Sequence, residues 1–171
     1  MQTQSSLHAA ARTHRGKKWL LFVVLVGIVV GLDQGTKRAV HKTFKLYESR
    51  PVVASFVNLT YVRNSGAAFG LLSRQNPVFI RLFFLSVTFV ALVILLFYYA
   101  RVPWEQTLTL WGLCLIASGA LGNGIDRLWL GQVIDFIDVY VSHYHWPAFN
   151  VADSAICVGV GCLLLDTVRH T

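Results

Sequence analysis

The sequence predicts an all-α membrane protein: four transmembrane helices with a small sheet lying at one membrane face. Three observations predict it. Of 171 residues, 55% are apolar and only eight are Asp or Glu. Four apolar stretches reach or approach the roughly 20 residues that a helix needs to cross about 30 Å of hydrocarbon. Several of the few carboxylates sit at matching ends of those stretches, beside asparagines.

Taken in order, residues 1–17 read as a disordered lead. The first span starts at Trp19, is apolar to Leu32 and continues through Asp33 toward Val40. Lys17 and Lys18 before a short apolar run imitate a secretory signal peptide. No small-x-small cleavage site follows, and three further spans do, so the segment reads as a retained helix. Val52 to Val62 is rich in β-branched and aromatic residues and predicts one or two strands. Gly66-Ala67-Ala68-Phe69-Gly70 then forms a small-residue turn. The second span runs from Pro77 to Ala100, with Arg81 near one end, where its stem can snorkel. The third covers Thr107 to Ile125. Leu130 to Val141 reads as extended. The fourth covers Pro147 to Val168, with Pro147 suited to a first helical turn. Residues 18–168 thus form one domain, and 169–171 a short tail.

The formal net charge of +7 could suggest nucleic acid. The basic residues, however, are scattered around membrane segments with no aromatic-interleaved groove. Contact with membrane phospholipid is the expected meaning, and nucleic acid is not an expected partner. Cys114, Cys157 and Cys162 all fall inside spans, an odd set that argues against disulfides and zinc. Arg12, Arg15, Lys17 and Lys18 before the first span favour a cytoplasmic N-terminus, and four spans bring the C-terminus to the same side. By the same parity Asp33, Asp126, Asp135 and Asp153 lie toward one membrane face.

Ionisable groups at membrane depth are costly and mark functional sites. Asp153 is the leading candidate. It is expected about 10 Å into a fourth helix that starts at Pro147, at 1.5 Å per residue, with Asn150 one turn before it. Asp135, alone in the apolar run Val133 to Ile137, is the favoured partner, ahead of Asp138. A carboxyl group there is expected to hold a raised pKa. Asp126 adjoins Arg127 and follows Asn123 by three residues, which suits a structural ion pair. Asp33 and Lys37, spaced i, i+4 with the acid first, suit a helical ion pair. Asn64 is either a turn residue or an amide that orients substrate. His143 and His145 lack further ligands for zinc. A Ser65–Lys37 dyad has nothing in the sequence to join it. Two carboxylates that share a proton can activate water, which points to an intramembrane aspartyl peptidase. A channel would spread polar groups along a path through the bilayer, and here they gather at one face.

The chain resembles the lipoprotein signal peptidase (signal peptidase II) family from about Lys18 to Val168. The residues that carry the resemblance are Asp33-Gln34-Gly35-Thr36-Lys37, Asn64-Ser65-Gly66-Ala67-Ala68-Phe69, Ser118 through Arg127, Val133 through Ile137 and Phe149 through Ser154. Ser118, Gly35-Thr36 and Gly124 depart from the usual pattern without removing a catalytic group. The resemblance implies four transmembrane helices, an extracytoplasmic β-cradle and an aspartyl dyad made of Asp135 and Asp153. Asp33, Lys37, Asn64, Asn123, Asp126, Arg127 and Asn150 match supporting positions. It further implies a metal-free, cofactor-free monomer in the bacterial inner membrane. The implied substrate is a prolipoprotein whose Cys bears diacylglycerol, cut just before that Cys at the extracytoplasmic face.

Overall fold

A computed structural model describes the backbone of residues 2–66 and 76–169, and side chains from His14 onward within them. Helix α1 covers Gln2–Thr43 and leads into a hairpin of β1 (Ser49–Val53) and β2 (Val57–Asn64). Helices α2 (Pro77–Arg101) and α3 (Thr107–Leu130) follow, then β3 (Val133–Val141), β4 (Tyr144–His145) and α4 (Val151–Arg169). Among the described residues, four helices are long and apolar enough to cross a membrane: His14–Thr43, Pro77–Arg101, Thr107–Leu130 and Val151–Arg169.

The strands form one antiparallel sheet in the order β1-β2-β3-β4. Asn64 lies opposite Val133, and Val62 opposite Asp135. Because β2 follows α1 and β3 follows α3, this pairing fixes both connections to the same membrane face. At the opposite end, α2 and α3 are joined by a short turn. There Lys18 donates to the last carbonyls of α2, at 2.7 Å to Val102 and 3.1 Å to Ala100. The Tyr99 hydroxyl returns a bond to the Lys18 carbonyl at 2.6 Å. A cation at a helix C-terminus meets both orphan carbonyls and the negative end of the dipole.

Three boundaries differ from the sequence expectation. The expected disordered lead over residues 1–17 is instead the start of α1, which begins at Gln2. Ala9, Ala10 and Ala11 are strong helix formers there, and no proline interrupts the run. The third helix runs on to Leu130 and stops at Gly131, whose φ of 74° supplies the left-handed C-cap. Asp126 and Arg127 therefore lie inside α3. The fourth helix starts at Val151, not Pro147. Phe149 is extended instead and exchanges backbone bonds with Ile137 at 2.8 and 3.0 Å. That pairing satisfies groups a helix would have had to re-partner. β4 was not foreseen. The turn at Ala67-Ala68-Phe69-Gly70 and residues 170–171 lie outside the described residues.

Helix α3 is the centre of the bundle: it packs on α1, α2 and α4. Lipid is as apolar as leucine, so helices in a membrane associate through close packing and polar contacts. The small residues of α3 permit that approach. A Cβ on Gly122 would stand 2.6 Å from an Asp33 carboxylate oxygen, and one on Gly119 would meet the Ala152 backbone. Outward-facing side chains on α2, such as Phe79, Phe89, Ile94 and Phe97, stay exposed as a lipid-facing surface must.

Candidate active site

The polar cluster begins with Lys37, which is 2% exposed and whose three ammonium protons all have partners. It pairs with Asp33 at 2.8 Å and Asp126 at 3.0 Å, and donates to Asn123 Oδ1 at 3.0 Å. The second oxygen of Asp33 accepts the Ala152 N–H at 2.9 Å, in the first turn of α4. Asp126 accepts the Ile134 N–H at 3.1 Å, at the start of β3. One lysine thus links α1 to α3, and its two carboxylates anchor α4 and β3. The expected Asp126–Arg127 pair is not formed, because neighbours on a helix point about 100° apart. Lys37 takes the place of Arg127.

Gln34 was not singled out from sequence. Its amide nitrogen lies 2.9 Å from Asp126 and 3.1 Å from both Asp33 and the Gly122 carbonyl. The signal was its place on the turn between Asp33 and Lys37.

Above this cluster two carboxylates are held by three asparagines. Asn150 and Asp153 form a reciprocal capping box. The Asn150 side-chain oxygen accepts the Asp153 N–H at 2.9 Å, and Asp153 accepts the Asn150 N–H at 3.1 Å. Asp153 is therefore the third residue of α4, in its first turn, rather than 10 Å inside it. The remaining Asn150 amide nitrogen reaches Asp135 at 2.7 Å and Asn123 Oδ1 at 3.2 Å. Asn123 donates to the other oxygen of Asp153 at 2.7 Å. Asn64 donates to the second oxygen of Asp135 at 3.0 Å. Asn150 so touches both carboxylates, and both belong to one network.

Burial pushes the Asp135 carboxyl up to about 6, and the neighbouring Asp153 charge adds to the rise. Bonds from Asn64 and Asn150, and the charge of Lys37, pull the other way without cancelling it. Arg127 lies beside the pair, within Coulombic reach of Asp153 and Asp135. Its guanidinium stands 4.8 Å from the Phe84 ring centre and donates at 3.4 Å to the Asn123 carbonyl. Its Nε is buried without a hydrogen-bond partner among the described residues.

The other candidates fall elsewhere. Asp138 projects from the opposite face of β3 to Asp135, as an odd strand separation requires. It accepts from Asn58 at 2.9 Å and lies 2.8 Å from His145 Nδ1. His143 sits exposed in the β3–β4 turn. Among the described residues no group of three or more His, Cys, Asp or Glu is placed to hold a metal ion. Lys37 has no proton or lone pair to spare for Ser65. The three cysteines are unpaired thiols on α3 and α4.

Four spans, a four-stranded sheet at one end and a bridged pair of carboxylates define a polytopic membrane enzyme. Two solved bacterial membrane enzymes share the fold. One superposes with a TM-score of 0.78 at 34% identity, covering 88% of this chain and 94% of its own. The other gives 0.77 at 34% identity, over 86% and 87%. The model of the family described as signal peptidase (SPase) II matches residues 25–169, and the chain belongs to that family. Lipoprotein signal peptidase of Syntrophus aciditrophicus (strain SB) is 46% identical over 153 residues, 90% of this chain and 95% of that protein. That of Geobacter sulfurreducens (strain ATCC 51573 / DSM 12127 / PCA) is 50% identical over 150 residues, 86% and 90% of the two.

Proposed function

We propose that Asp135 and Asp153 are the catalytic dyad of a prolipoprotein signal peptidase. The observation that carries this is Asn150, which bonds to both carboxylates at once. Asp135, with its raised pKa, holds the shared proton. Asp153 takes a proton from water as the water oxygen bonds to the scissile carbonyl carbon. Asp135 delivers its own proton to the carbonyl oxygen, giving a gem-diol. Collapse then breaks the C–N bond. Asp153 protonates the leaving amine, and a gem-diol proton returns to Asp135.

Asn64, Asn123 and Asn150 orient the two carboxylates. Asp33, Lys37 and Asp126 hold the elements that carry them. Arg127 supplies positive charge beside the pair. The reaction calls for no metal or cofactor. The substrate is a precursor whose Cys carries diacylglycerol. The position of Asp153 in the first turn of α4 and of Asp135 on the sheet supports chemistry at the membrane surface, where a lipid anchor sets the depth of the adjoining peptide bond. The enzyme works as a monomer in the inner membrane, with both termini cytoplasmic, the dyad toward the extracytoplasmic face and phospholipid around it.

Purified protein is incubated with a lipidated and an unlipidated precursor at saturating concentration. Only the lipidated one should turn over efficiently. Asp135→Asn and Asp153→Asn should each lose roughly 10²- to 10⁴-fold, the usual worth of a positioned acid or base. Near-normal turnover in either variant removes that residue from the dyad.

A further inference from the structure

A groove of about 710 Å³ runs along the outer junction of α1 and α3, within the size range of small-ligand sites. Gly31 and Gly35 of α1 form its floor, and Ile125 and Trp129 of α3 one wall. Arg38 and His41 close the end nearest the sheet. Neither Asp135 nor Asp153 lines it. We propose that this groove binds an anionic phospholipid of the surrounding bilayer, with its phosphate at Arg38 and His41 and an acyl chain along Gly35 and Ile125.

Three features support that occupant. The groove's exposed lining is mainly apolar. Lys37 and Asp126, which also line it, neutralise each other as an ion pair, which leaves Arg38, among the described residues, as the unpaired charge at one end, the polarity of a lipid lying along a membrane helix. Arg38 is exposed and makes no ion pair among the described residues, unlike Lys37 beside it. His41, at the same end of the groove, brings a second polar group. Arg63 Nε donates to the Tyr61 hydroxyl at 2.8 Å, and that hydroxyl lies 2.7 Å from His41 Nδ1. In the tautomer that carries its proton on Nε2, the imidazole accepts the phenol proton at Nδ1. The Nε2–H is then left as the free donor for a phosphate oxygen.

A second copy of the chain fits less well. An isologous contact through this face would bring the like-charged Arg38 of both copies into one interface. Trp129, 78% exposed, supplies the amphipathic ring that favours the headgroup level.

The test is lipid titration of the purified full chain in detergent, with bound lipids counted by native mass spectrometry. Phosphatidylglycerol should bind in preference to phosphatidylcholine. Arg38→Gln should weaken phosphatidylglycerol binding about tenfold, the worth of one charge-assisted contact. Arg38→Lys should keep most of it. Gly35→Leu should weaken both lipids, because a Cβ there meets nothing within 4 Å and the larger side chain fills the groove. The proposal fails if Arg38→Gln binds phosphatidylglycerol as wild type does, or if wild type shows no preference between the lipids. It fails equally if Gly35→Leu leaves lipid binding intact but splits a dimer. Displacement of phosphatidylglycerol by an apolar signal-peptide helix would assign the groove to a protein partner and also overturn it.

Discussion

Asp135 is 2% exposed, and burial pushes its carboxyl up to about 6. A group whose pKa is raised on folding stabilises the fold below its unfolded pKa, near 3.8. That contribution is lost as pH rises through about 6. Asparagine cannot ionise. Between pH 4 and pH 8, the stability of Asp135→Asn relative to wild type should therefore rise by about 2 kcal/mol, at 1.36 kcal/mol per pH unit between the two pKa values. Thermal unfolding of both proteins across that range measures it, and parallel curves would contradict the assignment. Activity should decline on the alkaline side of the same transition, with apparent pKa values that belong to the dyad. Lys37 poses the converse case. Removing one partner from a buried ion cluster leaves the other charges uncompensated, at about 3–5 kcal/mol. Lys37→Met should lower the melting temperature sharply, although the residue touches neither Asp135 nor Asp153.

At the scale of elements, the contact of α3 with α4 depends on backbone proximity. Gly119→Ala would press a methyl group onto the Ala152 carbonyl, two residues past the Asn150 cap. Overpacking of this kind costs about 1–3 kcal/mol. It should also reduce turnover by shifting the turn that presents Asp153. Gly161→Ala is the matched control, because nothing lies within 4 Å of its added Cβ. That variant should be as stable as wild type or slightly more so. Equal stability of the two variants would show that α3 and α4 tolerate separation.

The carboxylate–asparagine network lies at one end of the bundle, so the orientation of the molecule decides which compartment the proposed dyad serves. Asn58 on β2 and Tyr140 on β3 mark the sheet end. Single cysteines placed there, in a background without Cys114, Cys157 and Cys162, should react with an impermeant thiol reagent added outside intact spheroplasts. Reaction only in inverted vesicles would reverse the topology. Exposed Tyr144 and Trp146 on the β4 side extend the aromatic content of that end, where interfacial rings are favoured.

Hydropathy by itself determined the four spans and the extended character of the segments around Val57 and Val133. These follow from length, composition and local periodicity. Parity also brought Asp33, Asp126, Asp135 and Asp153 to one end. The particular partners were decided only by tertiary structure. Lys37 chooses Asp126 across a helix interface, and Arg127 turns away toward Phe84. Asn150 is a cap rather than a helical neighbour, because the bridge from Phe149 to Ile137 holds the preceding backbone extended. Adjacent residues show which charges are available. Which of them meet depends on the rotation of each helix and the register of each strand, and those are set by packing between segments 71 to 119 residues apart.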